Sequence, residues 1–274
     1  MTRRLLIAGC GDLGIRLAAR LPVDGTWQVT GLRRDASRLP PSITPLSADL
    51  SRPETLARLD RDWDAVIYQA TPGQRDESAY RRTYVEGLSN LLDQVRPQRL
   101  IFVSSTAVYG QDGGEWVDEQ SKTEPSRFNG RIVLEGERVA LAAAAESLVV
   151  RFSGIYGPGR EYLIESVRSG RARCRPKPPQ WTNRIHADDC AAVLEHLLEL
   201  DTPESIYCAS DCRPAARCEV LDWLAERLGA GSPERLGPQE DAGQGKRIDN
   251  RRLLASGFAF RFPDYQHGYG AMLS

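Results

Sequence analysis

A chain of 274 residues with a formal net charge of -1 is long enough for one large domain or a domain with an appendage. Its near-neutral balance leaves no basic excess for a phosphate backbone, which argues against a nucleic-acid partner. No apolar stretch reaches membrane-spanning length, and Asp12 and Arg16 interrupt the run after Arg4 too early for a leader, so a cytoplasmic protein with no membrane partner is expected. Leu5-Leu6-Ile7-Ala8 is a short apolar run that reads as a strand buried on both faces. Gly9, Gly11 and Gly14 follow at G-x-G-x-x-G spacing, and Leu13, Leu17 and Leu21 then recur at helical spacing up to Pro22. Strand, glycine turn and helix in that order are the setting that a dinucleotide fingerprint needs. Gly9 would make the tight turn, Gly11 would admit a pyrophosphate to the backbone, and Gly14 would let the helix pack on the strand. The first-turn amides, at Asp12, Leu13 and Gly14, would face the anion.

Residues 27–32 read as a second strand, closed by Arg33-Arg34. Arg33 stands near the place, about 20 residues beyond the glycines, where a carboxylate would bind the ribose 2′-hydroxyl of NAD. An arginine cannot accept that hydrogen bond, but it pairs with a 2′-phosphate, so NADP(H) is expected over NAD(H). A solvated charge pair neutralised by Asp35 is the plainer alternative. Residues 43–46 form a weak third strand, and Ser51 is placed to cap a short helix that begins near Pro53-Glu54. Residues 64–70 form a fourth strand ending in Thr71-Pro72-Gly73, at the carboxyl edge where doubly wound sheets bind ligands. A helix over 77–95, a strand over 99–105, a helix over 132–146 and a strand over 148–152 continue the alternation, which implies a parallel sheet covered on both faces. Beyond Ser153, turns and short elements dominate, with clear helices only at 187–200 and 219–228 and a last strand at 206–208. The division is therefore a dinucleotide-binding core, 1–152, and a mixed substrate lobe, 153–274, with some elements returning to the core. The six cysteines are expected as free thiols. Cys208, Cys212 and Cys218 lack metal-site spacing, and no metal is expected.

Four stretches resemble the short-chain dehydrogenase/reductase superfamily, in its extended NAD(P)-dependent epimerase/dehydratase branch. They are the glycine loop, Val103-Ser104-Ser105-Thr106-Ala107-Val108-Tyr109-Gly110, Arg151-Phe152-Ser153-Gly154-Ile155-Tyr156-Gly157-Pro158-Gly159, and Arg184-Ile185-His186-Ala187-Asp188-Asp189. The resemblance spans essentially the whole chain. It implies a Rossmann-type fold, a bound nicotinamide dinucleotide and a small-molecule substrate, and it suggests a homodimer through the helices at 77–95 and 130–146. By the same resemblance, Ser105 matches the residue that hydrogen-bonds the reacting carbonyl or hydroxyl. Asp49-Leu50 match the segment beside the adenine, and Ala70, Thr71 and Pro72 match the loop on the ribose–nicotinamide side.

The departures bear most on chemistry. The family's Tyr-x-x-x-Lys pair has no counterpart, because its positions carry Asn129 and Val133. A neutral amide transfers no proton, and valine supplies no charge to tune one. Ala8 stands at the first glycine of the branch's usual G-x-x-G-x-x-G. Thr106-Ala107 replace the Asp-Glu of the sugar-nucleotide dehydratases, which disfavours elimination of water. Thr182 stands where epimerases often hold a diphosphate with arginine, although Arg184 is nearby. Tyr109 remains as a candidate catalytic residue, its proton loss aided by an arginine such as Arg131; packing near the loop is its plainer role. Glu135, Glu137 and His186 read as solvated or structural, and Asp189 as a group that caps or orients a helix. Trp116 and Trp181 either line a substrate pocket or join the core, and 246–250 either present a basic group to an acidic substrate or form a surface edge. The expectation is an NADP(H)-binding oxidoreductase or epimerase-like protein acting on a small carbonyl or sugar-like compound without the usual pair. The alternative is a catalytically inactive, dinucleotide-responsive regulatory module.

Overall fold

The computed structural model describes residues 2–22, 24–144, 146–238 and 243–274. In chain order the elements are β1 (Arg3–Ala8), α1 (Asp12–Arg20), β2 (Trp27–Arg33), β3 (Thr44–Ser47), α2 (Pro53–Leu56), β4 (Asp62–Tyr68), α3 (Glu77–Arg81), α4 (Gly87–Gln94), β5 (Arg96–Ser105), β6 (Gly113–Val117), α5 (Phe128–Leu141) and β7 (Glu146–Phe152). There follow β8 (Gly154–Tyr156), α6 (Tyr162–Arg168), β9 (Arg173–Cys174), β10 (Trp181–Thr182), β11 (Arg184–His186), α7 (Ala187–Glu199), β12 (Ile206–Ala209), β13 (Ala215–Ala216), α8 (Arg217–Leu228), β14 (Glu234–Arg235), β15 (Gly245–Ile248), α9 (Arg251–Ala255) and α10 (Tyr265–Leu273).

Seven strands form one sheet in the order β12-β7-β5-β4-β1-β2-β3, a Rossmann-type α/β arrangement. The ladders β1–β2, β1–β4, β2–β3 and β4–β5 are parallel. Their apolar runs are continuous because both faces are covered: Leu5 to Ala8, Ala65 to Tyr68 and Leu100 to Phe102 are at most 1% exposed. From β1 the chain winds outward through β2 to β3, and from β4 it winds the other way through β5 to β7. The reversal falls between β1 and β4, the switch point at whose carboxyl edge doubly wound sheets open a crevice. Ala8 pairs with both Leu32 and Tyr68, so the three strand ends are level there.

The chain divides into two compact units. The first comprises residues up to Tyr109 together with Thr123–Arg151 and Ala191–Tyr207. Its core includes Leu6, Tyr68, Leu88, Leu91, Phe102 and Val149. The stretch at 77–95 is not one regular helix, because Arg82–Glu86 between α3 and α4 form a π turn. The Tyr68 phenol donates to the Thr83 carbonyl at 2.5 Å within that widened turn. α5 lies earlier than the run at 132–146 suggests. Arg127 is extended immediately before it, and the Ala144 amide already donates to Ser147 Oγ on the way into β7. Ala145, inside the expected helix, lies outside the described residues. Ser51 does not cap α2, because its hydroxyl donates to Asp49 Oδ1 at 2.8 Å.

The second unit comprises Gly110–Lys122, Phe152–Cys190 and Cys208–Ser274. Short ladders brace it: β6–β15, β8–β11 and β9–β14 are parallel, and β10–β13 is antiparallel. Tyr156, Ile164, Val167, Val220, Leu224, Tyr265 and Tyr269 form its core. α8 stops at Gly229, whose φ of 59° is the left-handed conformation that glycine adopts without strain. The expectation of six free thiols fails here. Cys174 on β9 and Cys218 on α8 form a disulfide, with Cα atoms 5.2 Å apart. The cause is the packing of β9 beside α8, which a separation of 44 residues conceals in the sequence. Cys10, Cys190, Cys208 and Cys212 lie outside any disulfide among the described residues. Among the described residues no helix is long and apolar enough to cross a membrane.

Candidate dinucleotide and substrate site

The glycine loop closes the carboxyl end of β1. Gly9 has φ +80°, and a Cβ there would lie 2.5 Å from Ala70 Cα and 2.6 Å from Ala70 N. The turns leaving β1 and β4 therefore meet backbone to backbone at the switch point. The amides of Gly9 and Cys10 both donate to the Leu32 carbonyl at 2.9 Å, which ties the loop to β2. Gly14 faces inward, where a Cβ would lie 2.4 Å from Gln69 Nε2 and 2.9 Å from Ile7 Cγ2. Gly11 differs: its Cβ would meet nothing closer than the Gly9 carbonyl oxygen at 3.9 Å, so its outer face is open. α1 begins at Asp12 with no side-chain cap. The first-turn amides of Asp12, Leu13 and Gly14 thus belong to a helix start of the kind that receives anions. Beside it Gln69 Oε1 is buried with no hydrogen-bond partner among the described residues. An open cradle, an uncapped helix start and a buried acceptor in need of a donor together fit a dinucleotide. Cys10 contributes bulk alone, since burial pushes its thiol up to about 11 against the smaller opposing charge of Arg33.

Arg33 is half-buried, and its Nη1 donates to the Cys10 carbonyl at 3.4 Å, which sets the guanidinium against the loop. Arg34 is exposed. Asp35 accepts from the Ser37 amide at 3.1 Å and the Ser37 hydroxyl at 2.6 Å. Asp49 makes a similar turn with Ser51. Burial alone would raise the Asp49 carboxyl, but Ser51 and the charges of Arg34 and Arg52 hold it below its ordinary value. The Leu50 carbonyl accepts from Asn90 Nδ2 at 2.9 Å. Thr71 is exposed and Pro72 half-buried, directly after the Ala70 contact.

At the end of β5, Ser105 is half-buried and its Oγ accepts from the Ala107 amide at 3.2 Å, capping the turn Thr106–Val108. The first turns of α5 press on that segment, since a Cβ on Gly130 would lie 2.3 Å from the Ala107 carbonyl oxygen. Asn129 is half-buried there, and Val133 is 3% exposed. Beneath them runs a charged network closed to solvent. Glu137 accepts from Arg151 Nε at 2.9 Å, Arg151 Nη2 at 2.6 Å and Ser104 Oγ at 2.5 Å. Arg151 Nη1 donates to the Tyr109 hydroxyl at 2.8 Å, with the guanidinium 5.0 Å from the ring centroid. Burial opposes the charge on Arg151, but its bonds to Glu137 and Tyr109 hold it above its ordinary value.

One sequence expectation changes here, and the alternatives left for Glu135 and Glu137, solvated or structural, are resolved. The arginine on Tyr109 is Arg151; Arg131 donates instead to the Ser126 carbonyl at 2.7 Å. Glu137 is a buried ion-pair partner, whereas Glu135 pairs with Arg81 at 2.8 Å on the surface. The overlooked signal was an arginine following Leu148-Val149-Val150: a charge in a buried strand requires a buried counter-charge.

In the second unit His186 is buried and accepts from the Asp188 amide at 3.1 Å. Asp189 accepts from the amides of Arg261 and Phe262 at 2.9 and 3.0 Å. Arg184 is buried and donates to Thr182 Oγ1, which makes it a core residue of that unit. Among the described residues no three His, Cys, Asp or Glu side chains group to hold a metal ion.

Protein YeeZ of Escherichia coli K12 is 29% identical to this chain, over 96% of this chain and 97% of its own length. A 3-diazoavenalumate denitrifying reductase of a Streptomyces species is 27% identical, over 85% of this chain and 84% of its own. The solved structure of a Methylobacillus flagellatus protein assigned to the NAD-dependent epimerase/dehydratases superposes with a TM-score of 0.82 at 39% identity, over 100% of this chain and 98% of that one. Residues 5–209 match one family throughout, and on that match the chain belongs to the NAD dependent epimerase/dehydratase family.

Proposed function

We propose that the protein is an NADP(H)-dependent oxidoreductase or epimerase-like enzyme acting on a small carbonyl or sugar-like compound. The observation that carries this reading is the open cradle at Gly11 with Arg33 lying against the loop. Gly9, Gly11, the first turn of α1 and the Ala70–Thr71–Pro72 turn would hold the dinucleotide. Arg33 and Arg34 would meet a 2′-phosphate through charge-assisted bonds. When bound, the cofactor supplies hydride transfer. Ser105 binds the reacting oxygen through its half-exposed hydroxyl. Tyr109 gives or takes the proton, because the Asn129 amide is neither acidic nor basic enough to exchange one and Val133 carries no charge. The Arg151 hydrogen bond to the phenol oxygen strengthens as that oxygen gains negative charge. Glu137 fixes the guanidinium in place. The reductase named among the relatives is consistent with redox chemistry on this scaffold.

Titration with NADPH and NADH, followed by turnover on a carbonyl panel, tests the reading. NADPH should bind at least about tenfold more tightly, a difference of about 1.4 kcal/mol. Arg33→Ser combined with Arg34→Ser should abolish that preference. Tyr109→Phe should lower kcat about a hundredfold or more with cofactor affinity unchanged. Equal affinities would refute the cofactor assignment, and an undiminished kcat would remove Tyr109 from the chemistry. The packing of Asn129 and Val133 favours a second reading, a dinucleotide-responsive binding module. It predicts tight NADPH binding, no turnover on any carbonyl, and a partner whose capture in a pull-down changes with the cofactor.

A further inference from the structure

Three distant segments of the second unit converge on one arginine. β6 and β15 pair so that Arg247 lies opposite Trp116, after a register shift that follows Gly245. The Arg247 guanidinium carbon is 5.0 Å from the Trp116 ring centroid and 5.0 Å from that of Trp181 on β10. The arrangement is held from several sides. Arg247 Nε donates to the Gly114 carbonyl at 2.8 Å. Asn183 clamps β15 on both sides of Arg247, donating to the Lys246 carbonyl at 2.8 Å and accepting from the Ile248 amide at 2.9 Å. Gly114 and Gly245 have φ of +82° and +69°, and a Cβ on Gly245 would lie 2.4 Å from the Trp181 carbonyl oxygen.

This scaffolding does not bury what it holds. Trp116 is 55% exposed, the most exposed of the large apolar side chains apart from Tyr162. Among the described residues no carboxylate forms an ion pair with Arg247. An indole held open to solvent beside a guanidinium with no ion-pair partner among the described residues offers two complementary features. Its face accepts a flat π-system, and the in-plane N–H groups of the guanidinium suit a planar oxyanion. A purely structural stack would gain more by burying the indole.

We propose that Trp116, Arg247 and Trp181 form a recognition site for a planar aromatic carboxylate. This binding stands apart from the enzymatic reading above. Calorimetric titration of the full chain with 4-hydroxycinnamate tests it. Cyclohexanecarboxylate supplies the charge without the ring, benzamide the ring without the charge, and uridine monophosphate a base with a phosphate. 4-Hydroxycinnamate should bind at least about tenfold more tightly than any of the three controls. Trp116→Ala and Arg247→Gln should each weaken it about tenfold while NADPH titration is unchanged. Trp116→Ala removes a surface side chain, so its fold is preserved even where Arg247→Gln loosens β15. Failure of the parent to bind, undiminished binding by Trp116→Ala, or tighter binding of any control would each overturn the proposal. Intact NADPH binding and carbonyl turnover alongside any of these would condemn this site alone. Intact 4-hydroxycinnamate binding without turnover would leave the site standing and count against the enzyme.

Discussion

Replacing Glu137 with Gln should unmask the cost of the buried charge at Arg151. The two side chains are 2% and 3% exposed, and the Glu137 carboxylate accepts three hydrogen bonds from Arg151 and Ser104. Glutamine keeps the shape, but it turns one acceptor into a donor facing the guanidinium and removes the negative charge. Arg151 cannot shed its proton in compensation. Breaking a buried pair on one side costs about 3–5 kcal/mol. That is a large share of the roughly 5–15 kcal/mol that keeps a protein folded. The melting temperature should fall by roughly 10 °C, taking about 2–4 °C per kcal/mol for a chain of this size. Urea unfolding followed by circular dichroism, with the m-value required to stay constant, gives the free energy directly. Glu137→Leu with Arg151→Met, which removes both charges, should recover most of the loss. A single variant within about 1 kcal/mol of the parent would refute the assignment of Glu137 as the counter-charge that Arg151 depends on.

Gly11→Ala should fold normally, because its Cβ would enter open space, yet weaken NADPH binding by about tenfold or more in a fluorescence titration; unchanged affinity would place the phosphates elsewhere. Asp211 is 1% exposed, and burial pushes its carboxyl up to about 7 despite the charge of Arg184. Its unfolded form loses the proton near pH 4 and its folded form keeps it to about 7, so stability should fall across that window and level off above it. Asp211→Asn should be spared that decline, worth up to about 3 kcal/mol between about pH 5 and about pH 8, when urea midpoints at the two pH values are compared; parallel declines in both proteins would contradict the sign. Reduction of Cys174–Cys218 opens a loop of 44 residues and should cost at most about 4 kcal/mol, read as a lower melting temperature in dithiothreitol that Cys218→Ala no longer shows.

The sheet was legible because its signals are local. Leu5 to Ala8, the three glycines and the leucines after them announce a strand, a turn and a helix within one short window. The same holds for the run at 64–70 and for the helix stop at Gly229. What escaped depends on residues far apart in the chain. Nothing near Glu137 names Arg151, and nothing near Trp116 names Arg247. The disulfide follows from β9 lying beside α8. Strands as short as β9, β10 and β13 hold too few residues for alternation to register, so the second unit read as turns. The same distance effect misassigned the arginine of Tyr109: Arg131 is nearer in sequence, whereas Arg151 reaches it across the first unit.

The π turn at Arg82–Glu86 takes up one residue more than a regular α-helix would hold between its flanking helices. One additional residue in a helix rotates everything beyond it by about 100°. Upstream of the turn Ala79 is buried, and downstream Leu88 and Leu91 are fully enclosed, so each part is phased to the core through the inserted residue. The Tyr68 phenol locks that phase by occupying the Thr83 carbonyl, and the close approach of Gly136 to the Tyr84 carbonyl leaves no room to slide. Winding 82–86 as an ideal α-helix with every residue kept would swing the two leucines about 100° out of register with the sheet. In this stretch a regular helix would be the misfolded form.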